Sequence, residues 1–155
     1  MKRFLLLGCL LVISCQPQPG KPNKSQIPNS KLTKTYIDPA QGYSQAVAVE
    51  ANGVQTIYIS GQVGSGESFE DQFRDALSKL FKTLENAGAT FDDVVKYNTY
   101  IVDYQPAYLD TFRTVRKELL GDKDMPASTL VGVQALGLPD WGVEIEAIAV
   151  VNSAE

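Results

Sequence analysis

Histidine is missing from all 155 residues, and the two cysteines, Cys9 and Cys15, both lie close to the N-terminus. Without an imidazole, Ser-His-Asp and Cys-His relays, zinc fingers and His-carboxylate metal centres each lose the group they depend on. No metal site and no cofactor are therefore expected. Cysteines confined to the first fifteen residues deny the rest of the chain disulfide and thiolate chemistry. No apolar run is long enough to cross a bilayer as a helix: Phe4 to Ile13 spans about ten residues, where a crossing needs roughly twenty. Positive charge is in deficit too, with 14 basic against 18 acidic residues and a net charge of −4. That balance excludes the basic stripe on which duplex binding depends, so no nucleic-acid partner is expected. What remains for chemistry is carboxylates, hydroxyls, lysines, arginines and backbone dipoles. With 44% hydrophobic and 21% charged residues, the chain is too apolar for disorder and has the size of one folded domain.

The N-terminus reads as an address. Lys2 and Arg3 form a basic head, and the apolar run after them ends in Val12-Ile13-Ser14-Cys15. Aliphatic and small residues just before a cysteine resemble the bacterial lipobox, so residues 1–14 are expected to be a lipoprotein signal peptide. Cys15 would then become the first residue and carry lipid. Residues 15–32, with Gln-Pro-Gln-Pro-Gly-Lys-Pro-Asn-Lys-Ser at their centre, lack the apolar content to pack and read as a flexible tether. The expected location is the bacterial cell envelope, with the chain anchored to a membrane through lipid and its domain outside the cytoplasm. Cleavage removes Lys2 and Arg3 and no acid, which leaves 12 basic residues against 18 acidic ones, a net −6.

The globular part, residues 33–151, alternates strand and helix signals. Lys34 to Ile37, Gln45 to Glu50 and Gln55 to Ser60 read as strands, and Asn52-Gly53 is the pair a tight hairpin favours because both central residues need positive φ. Gly61, Gly64 and Gly66 break the strand pattern. They fit no phosphate-binding fingerprint and predict a mobile connector. Ser68 caps a predicted helix whose apolar residues, from Phe69 through Phe73, Leu77, Leu80 and Leu84 to Ala87, recur at three- and four-residue steps, with Gly88 as the stop. Val94 to Val102 is a fourth strand. Pro106 opens a second helix carrying Leu109, Phe112, Val115 and Leu119 and ending near Gly121. Thr129 to Val133 and Val143 to Val151 complete the set. The order predicts an α+β fold with helices gathered on one sheet face, and apolar residues on the last strands favour association through the other.

Five strings, in this order, resemble the RidA/YjgF family: Gly42-Tyr43-Ser44-Gln45, Ile59-Ser60-Gly61-Gln62, Ala87-Gly88 before Asp93-Val94-Val95-Lys96, Pro126-Ala127-Ser128-Thr129, and Val143-Glu144-Ile145-Glu146-Ala147-Ile148-Ala149-Val150. The resemblance covers about residues 33–151. It implies a chorismate-mutase-like fold, a mixed six-stranded sheet with two helices on one face, assembled as a homotrimer with small-molecule clefts at the subunit boundaries. Members with the full motif set hydrolyse 2-imino or enamine acids to 2-oxo acids and ammonia without a cofactor. Carried over residue by residue, Tyr43 is the ring tyrosine, Gly61 lines the cleft with its backbone, and Glu144 is the glutamate of the catalytic water. Adding water to a C=N bond requires a positioned water, a carboxyl that moves protons and donors for the substrate carboxylate, none of which needs histidine or metal.

One departure matters. Imine deaminases of this family carry an arginine where this chain has Ser128, and a hydroxyl offers one donor and no charge in place of a bidentate ionic grip. An atypical substrate is the implied consequence, with Ser128 and Thr129 as substrate-binding candidates. Arg113 and Arg116 are available as substitutes, although a solvated helix face is the favoured reading of both. Glu144 and Glu146, two apart on a strand, share a face, so one carboxyl can push the other's pKa up. The main reading is a deaminase-like hydrolase of C=N bonds with Glu144 as its catalytic residue. Its rivals are a non-catalytic envelope lipoprotein that binds a small ligand or a partner, and a purely structural trimer.

Overall fold

A computed structural model describes residues 31–153. The expected signal peptide, the lipidation candidate Cys15 and nearly all of the expected tether fall outside the described residues.

Eight elements follow one another: β1 (Thr33–Ala40), β2 (Tyr43–Ala51), β3 (Val54–Val63), α1 (Phe69–Asn86), β4 (Val94–Val102), α2 (Tyr108–Leu120), β5 (Ala127–Val133) and β6 (Val143–Asn152). The sheet order is β1-β2-β3-β6-β4-β5. Strand β6 runs antiparallel to both of its neighbours, β3 and β4, so those two are parallel to one another and α1 is the crossover between them. Strand β5 pairs parallel with β4, with α2 as the crossover. The predicted α+β fold, with its mixed six-stranded sheet and two helices, is the observed one.

The local signals act as expected at the turns. Asn52 and Gly53 take φ of 54° and 75° between the paired Ala51 and Val54. The Ser68 side chain accepts from the Asp71 amide at 3.1 Å, capping α1, and Gly88 follows the helix at φ 76°. Phe73, Ala76, Leu77, Leu80 and Leu84 of α1 are buried against Ala46, Ala48, Ile57, Ile145 and Ala147 of the sheet. Phe112 of α2 stacks on Phe73 at 4.8 Å, and Tyr108 on Phe69 at 4.5 Å. Truncating the fully buried Phe73 to alanine would cost about 3–5 kcal/mol by the usual cavity and transfer terms.

Three expectations need correction. Leu119 is exposed and Leu120 takes its place in the core, because α2 turns its last residue inward before Gly121. Strand β3 does not stop at Ser60 but continues through Gly61 to Val63. The segment after it is tied down rather than free: the Gly64 amide donates to the Val143 carbonyl at 3.0 Å, the Ser65 amide to Asp75 at 2.8 Å, and Gln72 to the Gly66 carbonyl at 3.1 Å. A Cβ on Gly64 would lie 1.8 Å from the Gln72 carbonyl oxygen. That glycine serves close packing between β3 and α1.

The two sheet faces differ in character. The face under the helices carries the buried apolar core. The other carries Tyr36, Val54, Tyr58, Val131 and Val150, all at least a third exposed, beside Glu144 and Glu146.

Candidate functional site

At the end of the sheet where β2 begins, β3 ends and β6 begins, a cleft of about 500 Å³ is lined by Tyr43, Gln45, Ser60, Gly61, Gln62, Lys79, Trp141 and Glu144. Three of the residues singled out from sequence, Tyr43, Gly61 and Glu144, meet here. They come from three strands, far apart in the chain.

The cleft is shaped by an irregularity. The β3–β6 register steps from Ile59↔Ala147 to Gln62↔Ile145, so an extra residue is inserted at Ser60-Gly61. The bulge turns Gln62 inward, where it is buried yet fully engaged: it donates to Gln45 at 3.0 Å and to the Ser60 carbonyl at 2.9 Å, and accepts from Thr83 of α1 at 3.1 Å. Gln45 in turn donates to the Tyr43 hydroxyl at 3.4 Å. A neutral polar chain thus runs from the exposed phenol to the helix.

The bulge also explains Gly61. Rather than forming a turn, the residue sits inside the strand with the Glu144 side chain lying over its backbone; a Cβ there would come within 1.6 Å of Glu144 Oε1. No group among the described residues donates a hydrogen bond to the Glu144 carboxyl. Burial pushes its pKa up, and the nearby charge of Glu146 pushes in the same direction. Glu146, two residues on and on the same face, has its partners in place: Asn98 and Tyr100 of β4 both donate to Oε1 at 2.8 Å. That bond holds the Tyr100 hydroxyl above its ordinary pKa.

Lys79 is the cation of the cleft, and sequence reading missed it. Its ammonium is already committed, paired with Asp75 at 2.8 Å and donating to the Val63 carbonyl at 2.8 Å. The hydrogen bond from Lys79 keeps Asp75 below the usual carboxylate range. Only the i,i+4 spacing of Asp75 and Lys79 was visible in the sequence, and that signals an ordinary helix-surface pair. Trp141 lines the cleft and packs on Gly137.

Ser128 and Thr129 are not brought to this cleft within one protomer. They lie on the edge strand β5, two strands from β6. Neighbours along a strand point to opposite faces, and the register pairs Ser128 with Tyr97 on the helix side and Thr129 with Asn98 on the open side, where Lys96 donates to the threonine hydroxyl. The two arginines also separate. Arg113 is exposed beside Asp110 at 3.6 Å, as a solvated residue would be. Arg116 is not solvated in that sense: it is half-buried, its guanidinium 5.3 Å from the Phe112 ring centroid and donating to the Tyr97 hydroxyl at 3.4 Å. Among the described residues no group of three or more His, Cys, Asp or Glu could hold a metal ion.

Comparison with known proteins gives a consistent set of likenesses. The profile of the family described as endoribonuclease L-PSP matches residues 33–151. A Bos taurus protein named 2-iminobutanoate/2-iminopropanoate deaminase is 38% identical over 136 residues, which cover 78% of this chain and 93% of that protein. The RutC family protein YjgH of Escherichia coli is 34% identical over 95 residues, 57% of this chain and 72% of YjgH. Among solved structures, Rv2704 of Mycobacterium tuberculosis, described as a member of the YjgF/YER057c/UK114 family, superposes with a TM-score of 0.63 at 32% identity over 77% of this chain and all of that one.

Proposed function

Because this chain belongs to the endoribonuclease L-PSP family, which is also the YjgF or RidA family, we propose that it hydrolyses the C=N bond of a small imine or enamine acid, with Glu144 as the group that moves protons. The observation that carries this reading is the Glu144 carboxyl: half-buried, unpartnered, raised in pKa and open to a cleft that holds space for substrate and water. A general base works best when its pKa approaches the working pH, and this carboxyl is shifted in that direction. Glu144 takes a proton from water as its oxygen bonds to the imine carbon and the C=N π pair moves to nitrogen. It returns that proton to nitrogen, giving a carbinolamine, and then carries the hydroxyl proton to the amine nitrogen, so that the C–N bond breaks with its pair on nitrogen, the oxygen pair closes the C=O bond and ammonia leaves. The Bos taurus relative bears the name of such a deaminase.

The cleft of one protomer holds no uncommitted cation for a substrate carboxylate, since Lys79 is paired with Asp75. We take the functional unit to be a homotrimer in which a neighbouring copy completes the cleft. The apolar side chains on the open sheet face, Tyr36, Tyr58, Val131 and Val150 among them, support burial against another copy. Sedimentation equilibrium tests this, and a monomer at micromolar concentration would remove it. Attachment to the envelope membrane through lipid on Cys15 is a further part of the reading. Incorporation of an alkyne fatty acid that survives in the parent chain and disappears in Cys15→Ser is the expected result.

Turnover is tested with 2-iminopropanoate generated by an amino-acid oxidase, following loss of the imine. The wild-type chain is expected to accelerate it and Glu144→Gln to lower kcat by about 10²- to 10⁴-fold, the usual worth of a general acid–base. A wild type no faster than buffer, with Tyr43-dependent ligand binding retained, would favour the second reading: a binding module using the neutral chain Tyr43–Gln45–Gln62–Thr83 to hold an uncharged ligand.

A further inference from the structure

A second cleft of about 400 Å³ lies between the C-terminal half of α2 and the loop before β5, lined by Arg113, Arg116, Lys117, Asp122, Lys123 and Met125 among others. Four cations converge on it. Three already have carboxylates: Arg113 has Asp110 at 3.6 Å, Lys117 has Asp122 at 3.3 Å, and Lys123 has Asp92 at 2.5 Å. Arg116 has no carboxylate within 4.0 Å among the described residues.

Arg116 is also the one that is held still. Its Cζ lies over the Phe112 ring, 5.3 Å from the centroid, and Nη1 donates at 3.4 Å to the Tyr97 hydroxyl, a phenol anchored in the core on β4. A half-buried arginine without a carboxylate partner leaves its charge open to pairing by an anion that docks on it. Stacking fixes the fork, so little side-chain freedom is lost when two oxygens bind.

Position supplies the second argument. Tyr97, which holds Arg116, is the register partner of Ser128. The guanidinium thus comes to the same end of the β4–β5 ladder and the same sheet face as the serine, from the helix rather than from the strand. We propose that Arg116 is the carboxylate-binding residue of this protein and that its ligands are small 2-oxo or 2-imino carboxylates, gripped by both oxygens. This rests on the reading of the protein as an imine hydrolase only for the ligand class; the anion site stands on its own geometry.

Pyruvate, the stable product of 2-iminopropanoate hydrolysis, is the probe, with uncharged pyruvamide as the control, each titrated into the purified full chain by calorimetry. The wild type is expected to bind pyruvate, with affinity falling as salt rises. Arg116→Gln is expected to weaken pyruvate about 10- to 100-fold and leave pyruvamide unchanged, while Arg113→Gln stays within about twofold of wild type, since only Arg116 lacks a partner. Arg116→Lys keeps the charge without the fork and should fall between. If Arg116→Gln proves unfolded by circular dichroism, the Lys variant decides, and lysine binding pyruvate as tightly as arginine overturns the assignment. Equal weakening by Arg113→Gln overturns it, as does a wild type blind to pyruvate. Pyruvate binding through Arg116 in a chain that hydrolyses no imine would leave this inference standing and remove the proposed activity. Imine hydrolysis with an unchanged KM in Arg116→Gln would do the reverse.

Discussion

Glu144 and Glu146 stand two residues apart on β6, on one face of the sheet, and their surroundings could hardly differ more. Strand β4 presents Asn98 opposite Glu146 and Tyr100 opposite Glu144, yet both donate to the same Glu146 oxygen at 2.8 Å. Glu144 lies over the backbone of Gly61 with no donor, and its burial favours the protonated form. One carboxylate is engaged through Oε1 and ties two strands together. The other is left available: its own register partner, Tyr100, donates to Glu146 instead, and a bulge and a missing Cβ on β3 give the Glu144 side chain room over Gly61. A strand with two identical residues has thus been divided into a structural end and a chemical end by its neighbours.

The sharpest way to break this contrast is to neutralise each carboxylate in turn. Glu144→Gln should remove about 10²- to 10⁴-fold of kcat with 2-iminopropanoate. Glu146→Gln should keep kcat within about tenfold and show its effect in denaturant melts, where a charged acceptor is exchanged for a neutral one at a cost of about 1 kcal/mol. Equal kinetic losses in the two variants would mean that the carboxylates act as a pair and that the division is false.

Next in size is Gly61→Ala, which reaches Glu144 without touching its chemistry. The new methyl would overlap the carboxyl, with Oε1 at 1.6 Å, Cδ at 2.5 Å and Cγ at 2.8 Å, so the side chain must swing away. A misplacement of about 1 Å in a reacting group can cost on the order of 100-fold. Turnover should fall by about that factor while the melt stays nearly in place, because the atoms that yield belong to a flexible side chain. A wild-type rate in Gly61→Ala would show that the position of Glu144 over Gly61 has no part in the chemistry.

How much of this could be read from the chain alone depends on the range of each interaction. The Asn52-Gly53 hairpin and the Ser68 cap were legible because their causes lie within four residues, and the alternation of β6 announced that Glu144 and Glu146 share a face. Tyr43, Gly61 and Glu144 were reached through resemblance, and the structure brings all three to one cleft. The continuation of β3 was not legible. Three glycines in six residues look like a connector unless one knows that Glu144 covers the first and the Gln72 carbonyl crowds the second. Arg116 was legible as a candidate but not separable from Arg113 for the same reason: on a helical wheel both are polar residues among others, and only Tyr97 and Phe112, placed by the tertiary fold, set Arg116 apart. Lys79 escaped because its sequence pattern is that of any surface ion pair.

Tyr100→Phe probes the structural end at smaller amplitude. It deletes one of the two donors to Glu146 and leaves Asn98 in place. The expected cost is about 1 kcal/mol of stability, the net worth of one hydrogen bond to a partly exposed charge, with kcat unchanged. A marked kinetic loss would extend the chemical end of the strand as far as β4.

The smallest effect is the most direct test of why Glu144 is different. A carboxyl whose folded-state pKa is raised binds more protons folded than unfolded between its two pKa values, so its contribution to stability falls as pH rises through that window. The ionised form therefore weakens the fold at neutral pH. Glutamine at this position cannot ionise, and Glu144→Gln should melt slightly higher than wild type at pH 7, by less than about 1 kcal/mol because solvent reaches the carboxyl and screens it. The advantage should shrink as pH falls and vanish below the ordinary range for glutamate, where both chains carry an uncharged group. Glu146→Gln should behave in the opposite sense at pH 7, melting lower, since a neutral amide oxygen accepts more weakly from Asn98 and Tyr100 than a carboxylate does. Two substitutions of the same type, two residues apart, with opposite signs on the melting temperature would trace the division of β6 directly to the company each carboxyl keeps.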